Sequence, residues 1–327
     1  MRDTEVIETF DCFGSSCAVL VTGAGRERTA REAADGCRRR LSGWHGRFSR
    51  FLPGSELTRL NDDPRREVPV SELMAHFANA VVMAGTSTRG LVDATLIDDI
   101  ESAGYTGEPL QPLPLPTALR LAPARRPAAP ASAARWRLLE ANLAERTVTR
   151  PPGVKLDSGG LAKGLFADVL AEQLAGHASF AVNCAGDIMI GGAAEVTRPI
   201  KVGSPFDGRT LHTFNLRRTG VATSGIGRRA WLQAGGEPAH HLLDPSSGRP
   251  AFTGVVQVTA LAPSALVAEI HAKAAILSGP RSARAWLPHG GVIVLDDGSH
   301  EVIAPPPVVH RDQLSAHVRC ASAAALG

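Results

Sequence analysis

A double-glycine turn followed by a helix constrains the fold more than any other segment of this chain. The turn occupies residues 157–160 (Asp-Ser-Gly-Gly), and apolar residues then recur with helical spacing over 161–174. Asp157 or Ser158 can cap this helix, because their side-chain oxygens accept the N–H groups that no helical carbonyl reaches. Glycines let the backbone approach a ligand, the helix N-terminus favours an anion, and Lys163 adds a positive charge. The pattern predicts a phosphate-binding turn, although a capped helix with a surface lysine would show the same residues.

The composition is that of a globular protein, and it argues against nucleic acid as a partner. Hydrophobic residues make up 44% and charged residues 20% of the 327 positions. The net charge of +3 is too small to attract nucleic acid or a membrane surface. Aromatic residues, at 5%, provide few platforms on which bases could stack. We therefore expect no nucleic-acid partner.

The cysteines and the N-terminus predict a cytoplasmic protein. The five cysteines show no CxxC pair and no zinc-ligand spacing, and an odd number cannot pair completely within one chain. The first eight residues contain acids throughout and no apolar segment typical of a signal peptide. No stretch approaches the roughly 18 apolar residues of a membrane-spanning helix. We expect reduced thiols, no membrane insertion, and either a cytoplasmic location or a chain trimmed of its export signal.

The predicted strands and helices are interleaved along the chain. Several predicted strands follow one another as hairpins, including a pair at 136–139 and 147–149, which favours an α+β fold over a doubly wound sheet. Residues 107–133 are rich in proline and alanine. Because proline removes backbone donors and breaks helices, we expect a surface excursion or a link between sub-domains there.

Polar and glycine-containing motifs accumulate in the second half of the chain. They are, in order, Asp157 with Lys163, 183–187 (Asn-Cys-Ala-Gly-Asp), 223–225 (Thr-Ser-Gly), 241–245 (His-Leu-Leu-Asp-Pro), and Glu269 with Lys273. In order and spacing these motifs resemble those of the ApbE family, the FAD:protein FMN transferases. The first half agrees, since 13–15 (Phe-Gly-Ser), 51–61 and 91–95 (Leu-Val-Asp-Ala-Thr) also resemble motifs of that family.

The resemblance covers about residues 8–298 and implies a fold. We expect an α+β structure with T-fold-like mixed sheets and packed helices, forming one large domain of two intertwined sub-domains. Residues 8–300 are assigned to this domain, with 107–133 as its surface excursion. Residues 301–327 are left as an unassigned C-terminal extension.

The resemblance also implies an activity. Such an enzyme takes FAD as its substrate and moves the FMN half, through its phosphate, onto a Thr or Ser hydroxyl of a partner redox protein, releasing AMP. Attack on a pyrophosphate requires that the developing charge be neutralised and the acceptor hydroxyl be positioned and deprotonated. The implied FAD site consists of Phe13, Phe51, Leu91, Val92, Asp93, Asp157, Lys163, Thr223, Ser224 and His241.

Four residues are predicted to act in the transfer itself. His241 is the predicted base or phosphate-orienting group, and Asp244 lies close enough in sequence to fix its turn. Lys163 and Lys273 are the other two residues predicted to act in the transfer. An ordinary histidine at a strand end remains the alternative for His241.

The polar residues around this set have two interpretations. Thr223 and Ser224 either hydrogen-bond a phosphate or turn the chain. Asn183 and Asp187 are expected to hold the shape of their loop, because Asn and Asp bond to their own nearby backbone. His240 is expected to face away from its neighbour His241 if both lie on a strand.

The chain departs from the family pattern at the metal site. The family holds magnesium with an Asp and a Thr four residues apart on a helix, together with a main-chain carbonyl of the central turn. Glu269 and Lys273 occupy the two helix positions here, and Gly160 would supply the carbonyl. An ammonium has only donors and cannot ligate a cation, so magnesium binding is in doubt.

The sequence is therefore compatible with several functions. Glu269 and Lys273 form a plain helical ion pair, or Lys273 replaces the metal in a metal-independent transferase. The alternatives to a transferase are a flavin-binding or flavin-storage protein without turnover, and an FAD pyrophosphatase that yields FMN and AMP.

Overall fold

The computed structural model describes residues 4–107 and 112–306. The helices, in chain order, are α1 (Ala30–Phe48), α2 (Glu56–Asp62), α3 (Glu72–Ser87), α4 (Ile97–Ser102), α5 (Leu115–Leu121), α6 (Ala162–Leu174), α7 (Ala265–Ser278) and α8 (Pro280–Ala283). Short 3-10 turns occupy Arg135–Leu138, Ser158–Gly160 and Arg284–Trp286.

The strands outnumber the helices and are mostly short. In chain order they are β1 (Val6–Cys12), β2 (Ser15–Thr22), β3 (Glu67–Pro69), β4 (Glu140–Asn142), β5 (Thr147–Thr149), β6 (Ser179–Cys184), β7 (Asp187–Gly191), β8 (Arg198–Gly203), β9 (Thr210–Leu216), β10 (Gly220–Gly225), β11 (Ala230–Leu232), β12 (Pro238–His240), β13 (Leu243–Asp244), β14 (Arg249–Pro250), β15 (Val255–Ala262), β16 (Gly291–Leu295) and β17 (His300–Ile303).

One eight-stranded sheet organises the molecule. Its strand order is β1-β2-β6-β7-β10-β15-β16-β17, and every neighbouring pair is antiparallel. A doubly wound fold would need parallel neighbours joined by crossover helices. The expected α+β class is therefore confirmed.

Burial along the strands follows the period of two that a sheet imposes. In β2, the side chains of Cys17, Val19 and Val21 are fully buried, while their sequence neighbours are partly exposed. The central strand β15 is buried along nearly its whole length. Helix α1 packs on β1 and β2, α6 on β6 and β7, and α7 on β10 and β15.

Helices α6 and α7 meet at their N-terminal ends. A Cβ atom on Gly164 would lie 2.7 Å from the carbonyl oxygen of Ala265, so only glycine allows this approach. The carboxylate of Asp168 accepts the N–H groups of Ala265 and Leu266 at 2.7 and 2.9 Å, which caps α7 from the side of α6. The two helix starts are thereby fixed relative to each other.

Two local predictions were wrong. Residues Arg135–Leu138 form a 3-10 turn, and the strand that pairs with β5 is β4, which begins at Glu140. The cause is Trp136, whose ring packs on Gly85 of α3 so closely that a Cβ there would lie 2.3 Å from the indole.

The second wrong prediction concerns the cap of the central helix. The carboxylate of Asp157 accepts the N–H of Gly159 at 3.0 Å and thus caps the 3-10 turn Ser158–Gly160. Helix α6 begins after Leu161 and has no side-chain cap.

The proline-rich segment contains more structure than its composition indicated. Residues 108–111 lie outside the described part; the rest forms α5 and then an extended stretch. Pro116 is tolerated in the first turn of α5, where its missing N–H has no helical partner. Backbone hydrogen bonds from Leu113, Arg126 and Ala128 to the carbonyls of Ala230, Phe252 and Leu277 attach this segment to the body.

The remaining expectations concern the thiols and the membrane. Cys12, Cys17, Cys37 and Cys184 are buried free thiols, and Cys320 lies outside the described residues. Among the helices described over 4–107 and 112–306, none combines the length and apolar character needed to cross a membrane.

Candidate active site

The central turn is fixed from three sides. The side-chain amide of Asn61 donates to the carbonyl of Leu156 and accepts its N–H, at 3.0 and 2.8 Å. The N–H of Asp157 donates to the carbonyl of Ala94 at 2.8 Å, which joins the turn to the 91–95 stretch. Gly160 lies so close to Ala94 that a Cβ would be 2.9 Å from the alanine methyl.

The turn uses its own backbone donors, which corrects the prediction of a phosphate cradle made of N–H groups. Gly159 donates to the Asp157 carboxylate, Gly160 to the Asp157 carbonyl at 3.2 Å, and Leu161 to the Ser158 carbonyl at 3.3 Å. These three N–H groups are therefore not available to a ligand. An anion at this helix start would meet side-chain cations instead.

A cluster of four charged side chains lies at the start of α6; three are buried and that of Lys163 is partly exposed. The ammonium of Lys163 donates to the carboxylate of Asp187 and lies 3.3 Å from Oε1 of Glu269. The ammonium of Lys273 donates to the same Oε1 at 2.7 Å. The other oxygen of Glu269, Oε2, accepts the backbone N–H of Gly164 at 2.9 Å. We call Lys163, Asp187, Glu269 and Lys273 the charge cluster.

Burial and charge act against each other in this cluster. Burial lowers the pKa of Lys163, but the carboxylates of Asp187 and Glu269 outweigh it and raise the pKa above its ordinary value. For Glu269, burial raises the pKa, and the two ammonium groups outweigh burial so that the pKa falls below its ordinary value. Burial raises the pKa of Asp187. Lys163 and Glu269 are therefore charged near neutral pH.

His241 lies beside this cluster and carries an unused ring nitrogen. Its Nδ1 is buried and has no hydrogen-bond partner among the residues that the structure describes. Burial, together with the positive charges of Arg229, Lys273 and Lys163, holds the pKa of His241 well below its usual range. The imidazole is therefore neutral and able to accept a proton. His240 is fully buried against the ring of Phe252, at 4.7 Å between ring centres.

The predicted aromatic residues of the site lie in two groups. Phe13 has a left-handed backbone (φ 57°), and its ring packs on Phe166 of α6 at 5.6 Å. The ring of Phe51 is 46% exposed and lies edge-on to Tyr105, which in turn stacks on Trp231 at 5.2 Å. Phe51 thus belongs to an exposed aromatic surface on which a flat ring could stack.

The side chains of 91–95 serve mainly the fold. Leu91 and Val92 are buried in the core, so only their backbone could contact a ligand. Asp93 accepts hydrogen bonds from the N–H and the hydroxyl of Thr95, at 2.8 and 2.6 Å. Burial raises the pKa of Asp93, and these two hydrogen bonds oppose the rise.

The carboxylate of Asp244 is engaged within the fold, and its part in the reaction stays a prediction. Its carboxylate accepts the N–H of Ala129 at 2.9 Å, the N–H and hydroxyl of Ser246, and the hydroxyl of Ser247. It therefore fixes its own turn, as predicted, and also holds the proline-rich segment.

Thr223 and Ser224 lie on β10 and remain predictions as ligands of phosphate. The hydroxyl of Thr223 shares a hydrogen bond with that of Thr259 at 2.8 Å, and Ser224 is buried. The amide oxygen of Asn183 accepts the N–H of Gly186 at 2.8 Å, in keeping with a loop-holding role.

Sequence reasoning missed two charged groups of the site. Asp187 was assigned to its loop, whereas its carboxylate binds the ammonium of Lys163. The available signal was an acid directly before the apolar residues of β7. Arg229 donates to the carbonyl of Phe13 at 3.2 Å and carried no signal, because it lies in an irregular stretch between β10 and β11.

The residues at the expected metal position do not fit a divalent cation. Both oxygens of Glu269 are already engaged, and two ammonium groups lie within 3.3 Å of Oε1. Repulsion between unit charges about 4 Å apart near a protein surface is on the order of 4 kcal/mol, and a divalent ion doubles it. Among the described residues, no group of three His, Cys, Asp or Glu side chains is arranged to hold a metal.

Comparisons with known proteins agree on one family. A model described as the ApbE family matches residues 13–295. The FAD:protein FMN transferase of Salmonella typhimurium is 29% identical over 209 residues, which cover 62% of this chain and 58% of that protein. The FAD:protein FMN transferase of Escherichia coli K12 is 26% identical over 256 residues, covering 76% and 71%. The match thus spans less than two thirds of the Salmonella protein.

Solved structures show the same fold. The ApbE protein of Thermotoga maritima superposes with a TM-score of 0.74 at 24% identity, over 92% of this chain and 97% of that one. The flavin transferase ApbE of Vibrio cholerae gives a TM-score of 0.69 at 21% identity, with the same coverage.

Proposed function

The chain belongs to the ApbE family, and from this premise we propose that it is an FAD:protein FMN transferase. It binds FAD as substrate, transfers FMN to a Thr or Ser hydroxyl of a partner redox protein, and releases AMP. Relatives that carry this name support the proposal.

One observation carries the proposal: Nδ1 of the neutral His241 imidazole has no hydrogen-bond partner among the described residues, and two ammonium groups and a guanidinium lower the pKa of this histidine. The positive charges of Arg229, Lys273 and Lys163 each lower the pKa of His241. Cations of this kind stabilise the negative charge that develops on a pyrophosphate under attack. A base held neutral at pH 7 can accept the proton of the attacking hydroxyl.

The transfer is a single displacement at phosphorus. The acceptor oxygen bonds to the phosphorus of the FMN half, and the bond from that phosphorus to the bridging oxygen of the pyrophosphate breaks. AMP leaves with the bridging oxygen and its electron pair. The proton of the acceptor hydroxyl passes to the imidazole of His241. Lys163 and Lys273 bind the non-bridging oxygens throughout.

The test is transfer to a flavin-acceptor domain in buffer that contains MgCl2, followed by mass spectrometry of the acceptor. We expect a mass increase of one FMN less one water with the wild-type chain. His241→Asn should lower the rate by about 100-fold or more, because general-base catalysis contributes about 10²–10⁴. The exposed His300→Asn is the matched control and should leave the rate unchanged. Equal rates for wild type and His241→Asn would remove His241 from the reaction.

A further inference from the structure

The ammonium of Lys273 has donor capacity that the protein leaves unused. An ammonium carries three N–H groups, and among the described residues Lys273 makes one hydrogen bond, to Glu269 at 2.7 Å. The residue is nevertheless 93% buried, with a relative exposure of 7%. A buried cation with two free donors is costly unless an anion takes them.

The choice of lysine is itself informative in this chain. Only four of the 35 basic residues are lysines, and two of them, Lys163 and Lys273, are in the charge cluster. Lysine carries a compact point charge on a flexible stem, whereas arginine carries a broad planar fork. A compact charge at the end of a stem is the side chain that best takes the place of a small cation.

Glu269 positions the two ammonium groups together. Its Oε1 accepts from Lys273 and lies 3.3 Å from the ammonium of Lys163, while Oε2 is fixed by the backbone of α6 at Gly164. The negative charges of Asp187 and Glu269 balance the positive charges of the two lysines. With Arg229 included, the five groups carry one net positive charge. The cluster can therefore form without a ligand and still attract an anion.

We propose that Lys273 replaces a divalent cation, binding the pyrophosphate of FAD jointly with Lys163, so that neither FAD binding nor FMN transfer requires a metal. This inference rests on the proposed function for its ligand, and FAD affinity tests it separately from turnover. Glu269 is a positioning residue that acts through both lysines.

The first experiment measures FAD affinity by the quenching of flavin fluorescence, with EDTA and with MgCl2. We expect the same Kd for the wild-type chain in both buffers. Lys273→Met should weaken binding about tenfold or more, because hydrogen bonds between charged groups contribute at least that much. Lys201→Met, at an exposed lysine of β8, is the matched control and should bind FAD as the wild type does.

A second pair of variants guards against a fold defect. Lys273→Met leaves Glu269 paired with Lys163 alone, so its thermal unfolding is measured beside that of Glu269→Gln/Lys273→Met, which removes both charges. The double variant should unfold near the wild-type temperature and still bind FAD weakly. A double variant that folds and binds FAD with wild-type affinity would overturn the role of Lys273.

A third variant introduces the Asp and Thr that the family resemblance predicts as ligands. In Glu269→Asp/Lys273→Thr, the added carboxylate and hydroxyl should bind Mn²⁺, measured by the loss of the free-ion EPR signal, and FAD affinity should fall in EDTA. Mn²⁺ binding by the wild-type chain at this site, with FAD affinity lost in EDTA, would contradict the proposal. If FAD binds without a metal but no condition yields transfer, the proposed function fails, while the role of Lys273 in binding the pyrophosphate stands.

Discussion

At the scale of single residues, Glu269 connects the helix start to both lysines of the site. One of its oxygens is fixed by the backbone of Gly164, and the other accepts from Lys273. Lys163 is held from the opposite direction by Asp187. A buried carboxylate that keeps several charge-assisted hydrogen bonds is stable only as long as its partners remain.

Removing the ammonium of Lys163 should therefore destabilise the fold. Lys163→Met leaves Asp187 buried without its cation, and breaking a buried pair on one side costs about 3–5 kcal/mol. Lys163→Met/Asp187→Asn should recover much of this free energy of unfolding, because it removes both charges. Urea unfolding of the two variants and the wild type measures the difference. A double variant no more stable than the single one would show that the pair does not stabilise the fold.

The two adjacent histidines predict a loss of stability in mild acid. Burial lowers the pKa of His240 to about 3 and holds that of His241 well below its usual range. The unfolded chain binds protons on both residues as the pH falls through about 6.5, and the folded chain does not. Stability is therefore greatest above pH 6.5 and falls as the pH drops towards 3. Each histidine should lower the free energy of unfolding by about 1.2 kcal/mol when the pH falls from 7.0 to 5.5.

Urea unfolding at pH 7.0 and 5.5 measures this effect. His240→Asn keeps an acceptor for the N–H of Leu242 and should lose its share of the pH dependence. His300→Asn on the exposed face of β17 is the control. An unchanged pH dependence in His240→Asn would contradict the burial of a neutral His240.

At the scale of elements, the site depends on how closely α6 approaches α7. Gly164 allows the contact, Asp168 caps α7 from α6, and Gly220 of β10 lies against the backbone of Ser264 in the same way. Because Lys163 and Gly164 are neighbours, any separation of the two helices also moves an ammonium of the site.

A methyl group at Gly164 should disturb both stability and FAD binding. Gly164→Ala places a Cβ 2.7 Å from the carbonyl of Ala265, and backbone atoms cannot move aside cheaply. We expect a loss of roughly 1–3 kcal/mol in the free energy of unfolding, together with weaker FAD binding. Gly43→Ala in α1, where a Cβ meets nothing within 4 Å, should instead stabilise by roughly 0.5–1 kcal/mol. Thermal and urea unfolding of both variants provide the comparison.

The sequence predicted the helices and strands better than it predicted the contacts between them. Buried residues recur with helical spacing in α3 and α6, while β6 and β15 are apolar runs buried along nearly their whole length, so the residues alone predict these segments. The 3-10 turn at Arg135–Leu138 was missed, since it depends on a tryptophan packing against a distant helix.

The site was predictable to the same extent. The pairing of Glu269 with Lys273 is a property of one helix and was expected from their spacing. The bond between Lys163 and Asp187 joins α6 to β7 and exists only in the folded chain. That the glycine turn uses its own N–H groups also depends on its folded geometry, so the sequence could not show that these donors are already engaged.

At the scale of the whole molecule, the sheet holds the charge cluster in place, and the proline-rich segment is attached to the turn that follows His241. Asp187 belongs to β7, Lys163 to α6, and Glu269 and Lys273 to α7, all packed on one eight-stranded sheet. Asp244 attaches Ala129 of the proline-rich segment to the turn that follows His241. The cations and the neutral base are thus brought together by elements that the sheet fixes.

The measurement that tests this account most directly is the stoichiometry of a single reaction of the full chain with FAD and a flavin-acceptor domain. AMP is quantified by chromatography, and covalent and free FMN are quantified from the same sample. We predict one covalent FMN for each AMP and no AMP release without the acceptor. AMP with an equal amount of free FMN would identify a pyrophosphatase, and bound FAD without AMP would identify a flavin-binding protein. Either result would contradict transfer.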